Sequence, residues 1–162
     1  MVWVLVLSTG CAAAGGCRQP DGAWPEATGE VPNRLSDLQR DLQNVAAGEA
    51  DGPKDLADDL AVFTTDEPEA VNAARTLAGS ISVVIAKRTL SEDAVKQLSS
   101  NLWKAVASRE LSERQVDALK DDMRGTLTTI GVSQPDANAV ADRVGQTQKV
   151  VASRSRRWYE RY

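Results

Sequence analysis

From Asn33 to the carboxyl end, apolar side chains recur at three- and four-residue steps, and no stretch shows the strict alternation of a half-buried strand. A chain with that one period buries its apolar stripes by laying helix against helix. Asn33 is placed to cap a first helix carrying Leu35, Leu38, Leu42 and Val45, stopped by Gly48. Asp51-Gly52-Pro53 opens a short second helix with Leu56, Leu60 and Phe63 inward, the proline occupying a tolerated first-turn position. Thr65 or Asp66, with Pro68, starts a third that carries Val71, Ala74, Leu77, Ile81, Val84 and Ile85. The run Ile81-Ser82-Val83-Val84-Ile85 has β propensity, but the spacing of Leu77, Ile81 and Ile85 predicts helix.

The most regular part lies between Leu90 and Ser153. Leu90-Ser91-Glu92, Leu111-Ser112-Glu113 and Val132-Ser133-Gln134 recur at intervals of 21 residues, and each serine is placed to cap a helix. Ser112 and Gln115 have capping-box spacing. Apolar positions align across the units: Val95, Val116 and Ala137; Leu98, Leu119 and Val140; Leu102, Met123 and Val144; Val106 and Leu127, then Gln148. The glutamine breaks the series, which predicts a weaker seam near the end of the last helix. Short turns, one ended by Gly131, make these units helical hairpins. The expected fold is all-α: a small bundle of five or six helices over residues 34–162, built from helical hairpins, after a disordered tether.

Composition removes whole classes of chemistry. The 162 residues include no His, which excludes His general bases, His-containing triads and His-ligated metals. Both Cys, at 11 and 17, precede the first charged residue, Arg18, so a disulfide framework or a thiolate zinc site in the folded part is excluded as well. Neither G-x-S-x-G, S-x-x-K nor a phosphate-binding glycine loop accompanies the serines and threonines. The chain reads as a non-enzyme without a cofactor or a metal.

Residues 1–17, MVWVLVLSTGCAAAGGC, are uncharged, too short and too glycine-rich to span a bilayer, and have the form of a signal-peptide apolar region ending in small residues. Leu7-Ser8-Thr9-Gly10-Cys11 resembles the lipobox of bacterial lipoproteins, with Ser8 where that family usually has leucine three before the cysteine. The resemblance implies cleavage before Cys11 and attachment of diacylglycerol to its thiol. Ala14-Gly15-Gly16-Cys17 makes Cys17 the alternative. It also implies a cell-envelope protein, and Ala12 after the cysteine differs from the Asp-type inner-membrane retention signal, pointing to the periplasmic face of an outer membrane where two membranes exist. No basic residue precedes the apolar run, so the true start is expected upstream. Residues 18–33 hold Pro20, Pro25 and Pro32 with Gly22 and Gly29, the composition of a flexible linker. The competing reading makes residues 1–17 a hydrophobic helix packed on the domain.

Two charge patterns remain. Asp55, Asp58 and Asp59, and Asp117, Asp121 and Asp122, place carboxylates on shared helix faces; without His, Cys or an acidic glycine loop they read as solvated surface. The last nine residues contain Arg154, Arg156, Arg157, Trp158 and Arg161, four arginines against one glutamate, a local +3 in a chain of net −4. Arginine interleaved with aromatics suits an anionic surface: lipid headgroups, an acidic protein, or nucleic acid. The same residues also complement a helix C-terminus and an acidic body. Finally, Leu111-Ser112-Glu113-Arg114-Gln115 is similar to the L-T-x-x-Q motif of Spy-type helical periplasmic stress chaperones, with Ser for Thr. That resemblance implies client binding on a helical surface without nucleotide.

The sequence therefore leads to a lipid-anchored envelope protein acting through protein or membrane contacts, with no nucleic acid expected as its partner. The alternatives are a helical periplasmic chaperone or stress sensor, and a nucleic-acid-binding module using the Arg-rich tail.

Overall fold

The computed structural model describes residues 30–64, 67–109 and 111–159, with side chains over 34–64, 67–109 and 111–153. These residues form six helices and no strand: α1 (Glu30–Ala47), α2 (Gly52–Val62), α3 (Pro68–Ile85), α4 (Glu92–Ala107), α5 (Glu113–Thr129) and α6 (Gln134–Tyr159). Helix contacts close a ring in the order α1–α2–α3–α6–α5–α4. α3 and α4, although consecutive, are scarcely in contact. The chain thus makes two three-helix units, α1–α3 and α4–α6, of which α1 packs on α4 and α3 on α6.

Local chemistry sets the helix ends. Ser91 Oγ accepts from Ala94 N at 3.2 Å, and Ser133 Oγ accepts from Asp136 N at 3.3 Å. Ser112 and Gln115 form the reciprocal capping box, with Ser112 N donating to Gln115 Oε1 at 2.8 Å. Each cap contributes about 1 kcal/mol. Gly48 and Gly131, at φ +81° and +83°, terminate α1 and α5 in the left-handed conformation that a side chain would strain. The third helix starts on Glu67, with Pro68 in its first turn, one residue later than the sequence reading placed its cap. The first starts earlier than expected, at Glu30, so Asn33 lies inside α1 and the last four residues assigned to the linker are helical. The stretch 81–85 is helix: Ile81 and Ile85 are fully buried, whereas Val83 points to solvent at 80% exposure, as helical geometry requires and strand pairing would not.

The core is aliphatic. Leu38, Leu42, Leu56, Leu60, Leu77, Leu98, Leu102 and Met123 are inaccessible to solvent, and Phe63 and Trp103 pack only at its margin. The aligned positions of the three 21-residue units are all buried except Val116, which is half-buried because α5 sits at the edge of the ring between α4 and α6 alone.

Gln148 corrects the expectation of a weakened seam. Its side chain is 1% exposed and its Nε2 donates to the backbone carbonyl of Ser108, just past the end of α4. The glutamine ties two helices together where an aliphatic residue would only fill space. Replacing it by an apolar residue of similar length leaves that carbonyl buried without its donor, which costs about 1–3 kcal/mol. Gln148→Met is therefore expected to lower the denaturant midpoint, although it restores the apolar pattern; an unchanged or raised midpoint would show that the hydrogen bond carries nothing.

Candidate functional site

The sequence singled out two ends of the chain, and the structure describes them unequally. Cys11, Cys17 and Arg161 lie outside the described residues. Arg154, Arg156, Arg157 and Trp158 fall on the last turns of α6, which continues unbroken to Tyr159. The basic segment is thus the end of a 26-residue helix, about 39 Å long at the standard rise. α6 continues well past Gln148, the last of the aligned positions in its 21-residue unit.

Beside that end lies an open groove of about 750 Å³ between α5 and α6. α5 buries nothing before Leu119, and Leu111 and Val116 are half-buried where they line the groove with Gln148 and Ala152. Its walls carry both signs, Glu113, Asp117 and Asp142 against Lys120 and Lys149. Lys120 crosses it: its Cδ would meet a side chain on Gly145 at 3.2 Å, and its Nζ pairs with Asp142 at 3.4 Å. Gly145 keeps the close approach open. Ser153, the one hydroxyl among the lining residues, donates to the carbonyl of Val150 at 3.0 Å.

The acidic runs separate into different environments. Asp58 pairs with Lys54 at 3.4 Å and with Arg75 of α3 at 3.2 Å. Asp121 pairs with Arg124 at 2.6 Å, and that arginine also donates to Asn138 Oδ1 at 2.6 Å. Asp55, Asp117 and Asp122 are exposed. No group of three His, Cys, Asp or Glu side chains that could hold a metal ion occurs among the described residues.

The carboxylate with the unusual environment is one the sequence reading passed over. Asp41, on the inner face of α1, is 1% exposed. Its Oδ1 receives Arg40 Nε and Nη2 at 3.4 Å each, while Oδ2 has no partner. Burial lifts its pKa to about 6, the neighbouring carboxyl of Asp59 on α2 adds to the rise, and Arg40 opposes it. Spacing gave a signal that could have found it: Asp41 interrupts the Leu38–Leu42–Val45 stripe on its buried side.

The residues that resemble the Spy-type motif have a local role, since Ser112 and Gln115 make the cap of α5. Comparison of the chain with known protein families, with curated proteins and with solved structures finds no match.

The Asp41 environment has a measurable consequence. A folded-state pKa above the unfolded value means that the native state binds the proton more tightly, so this contribution to stability is present below about pH 4 and is lost as pH rises through about 6. Asp41→Asn keeps the shape and removes the buried charge. It is expected to raise stability at pH 7 by about 1–2 kcal/mol and to flatten the profile between pH 4 and 6. Denaturant unfolding of both proteins across that range checks it; parallel profiles would refute the buried-carboxylate assignment.

Proposed function

We propose that this chain is a lipid-anchored cell-envelope protein that acts without catalysis, through contacts of its helical bundle. The observation that carries the reading is the placement of its two thiols. Both lie in a small-residue, uncharged leader of lipobox form, and the helical body that follows contains none. A thiol after an apolar leader is what lipid transfer to cysteine requires, and a folded body without His or Cys is consistent with a contact role rather than thiol or imidazole chemistry. No described helix is long and apolar enough to cross a membrane, so attachment through this reading depends on the acyl chains. The mixed-charge α5–α6 groove and the end of α6 are the surfaces through which the bundle would meet its partners.

The test is the mass of the N-terminal peptide after expression, with the upstream coding region, in a bacterial host. A diacylglycerol-modified Cys11 is expected, with Cys17 unmodified, and Cys11→Ser should release the protein from membranes without detergent. An unmodified, uncleaved leader in a soluble fraction removes the reading. Suppression of client aggregation by that soluble protein would then favour the chaperone alternative.

A further inference from the structure

We propose that the bundle docks end-on against an anionic lipid bilayer through the protruding end of α6, so that lipid anchor and basic helix end engage the same membrane. The anchor half rests on the lipoprotein reading above; the geometry rests on the register of the described helices.

Two pairs of contacts fix α6 against its neighbours. Arg88 Nη1, just after α3, donates to Gly131 O at 2.7 Å, and Thr147 Oγ1 donates to Ala73 O at 3.4 Å. α6 therefore runs antiparallel to α3, with Pro68 at roughly the level of Ala152. On the other flank, Arg124 reaches Asn138 and Lys120 reaches Asp142, so α5 is antiparallel too and Glu113 lies near the level of Lys149. α4 ends at Ser108, which Gln148 holds. Every helix packed on α6 has ended or begun by Ala152, and α6 continues to Tyr159. The overhang is about 10 Å at 1.5 Å per residue, and its sequence carries Arg154, Arg156, Arg157 and Trp158.

The chain enters the bundle at this same end. Gly52 lies against Val45 and Asp59 faces Asp41, so α2 returns along α1. Arg75 pairs with Asp58, so α3 returns along α2. Arg34 is thereby level with the connection between α2 and α3, and Glu30 leads it by one further turn. Eighteen residues separate Cys11 from Glu30, and a flexible chain of that length would reach about 20–25 Å.

Charge then selects the occupant. The protein before residue 154 carries −7, which any polyanion lying along its sides would meet. Among the described side chains at this end, Glu67, Glu69 and Glu113 are matched by Arg34, Arg109 and Arg114, and all of them sit behind the overhang. The overhang's length is close to the Debye length of about 8–10 Å at physiological salt, so a flat anionic surface touched end-on meets the helix turns whose sequence carries three arginines, with Glu30 of α1 near their level, and the acidic walls only through screening. Tryptophan among arginines is the composition of the headgroup region, and a basic cluster is the second signal that secures a lipid-anchored protein.

The experiment uses the full chain carrying Cys11→Ser and Cys17→Ser, with vesicles of phosphatidylcholine alone or mixed equally with phosphatidylglycerol. Co-sedimentation with the mixed vesicles only, weakened by added salt, is expected. The combined Arg154→Gln, Arg156→Gln and Arg157→Gln variant should lose on the order of a hundredfold in partitioning at unchanged helix content, whereas Lys87→Gln at the opposite end should lose nothing. A polarity-sensitive dye on Arg109→Cys should respond to the vesicles, and one on Thr89→Cys should not. The docking surface is overturned if partitioning survives the arginine substitutions, if the two dyes respond alike, or if the protein is held by duplex DNA more tightly than by the mixed vesicles. Because neither cysteine is present, these results are independent of lipidation. An unmodified N-terminal peptide in the mass experiment would overturn the shared membrane but not the vesicle contact.

Discussion

A core made of leucine, valine, isoleucine and alanine has many nearly equivalent ways to slide one helix along another. Among the described side chains no large aromatic sits at its centre to key one helix into the next, and Phe63 and Trp103 pack only on its margin. The register is set instead by polar pins at the ends and middle of α6: Arg88 on the Gly131 carbonyl, Thr147 on Ala73, and Gln148 on Ser108. Each is a donor matched to one carbonyl, so a slip breaks the hydrogen bond, and at Gln148 it leaves buried groups unpaired. The rest of the molecule depends on that restriction. Where α6 ends relative to α3 and α5 decides whether its arginines lie against the body or beyond it.

The pins also explain which parts of the fold were legible in the sequence. Helices and turns follow from local rules, so the serine caps, the two positive-φ glycines and the apolar stripes could be read residue by residue. Helix limits were less legible where no cap signal exists. Glu30 begins α1 without a serine or threonine to mark it, and α6 outruns its apolar period because arginine and serine are tolerable helix formers that give no stop signal. Gln148 and Asp41 were misjudged or missed for one reason. A polar residue on an apolar stripe reads as a defect until its partner is known, and both partners are distant in sequence or on another helix: Ser108 on one, Asp59 on the other.

Those two residues show the same environment producing opposite results. Gln148 is uncharged and finds a carbonyl, so its burial costs little and specifies one packing. Asp41 carries a charge that only Arg40, through contacts at 3.4 Å, partly offsets, and faces a second carboxylate. Its burial stabilises the fold only when protonated, so the α1–α2 hairpin is weaker in neutral than in mildly acidic solution. That hairpin is also the first part of the described bundle, and it touches the second three-helix unit mainly through α1 on α4.

The candidate site was legible as composition but not as position, and the reason is parity. The sequence allowed five or six helices. In an up-and-down bundle an odd number puts the first and last helix ends at opposite poles; an even number puts them together. Six helices of alternating direction bring the start of α1 and the end of α6 to one pole. With five, a cysteine-anchored leader and an arginine-rich end would address different surroundings, and a basic tail facing away from a membrane would favour a soluble acidic partner. With six, an anchor on the leader, as proposed above, would hold the basic end near the surface that carries it, raising its effective concentration there. The short turn that separates α5 from α6 at Gly131 therefore has an effect beyond local geometry: the sixth helix it admits ends at the pole where α1 begins.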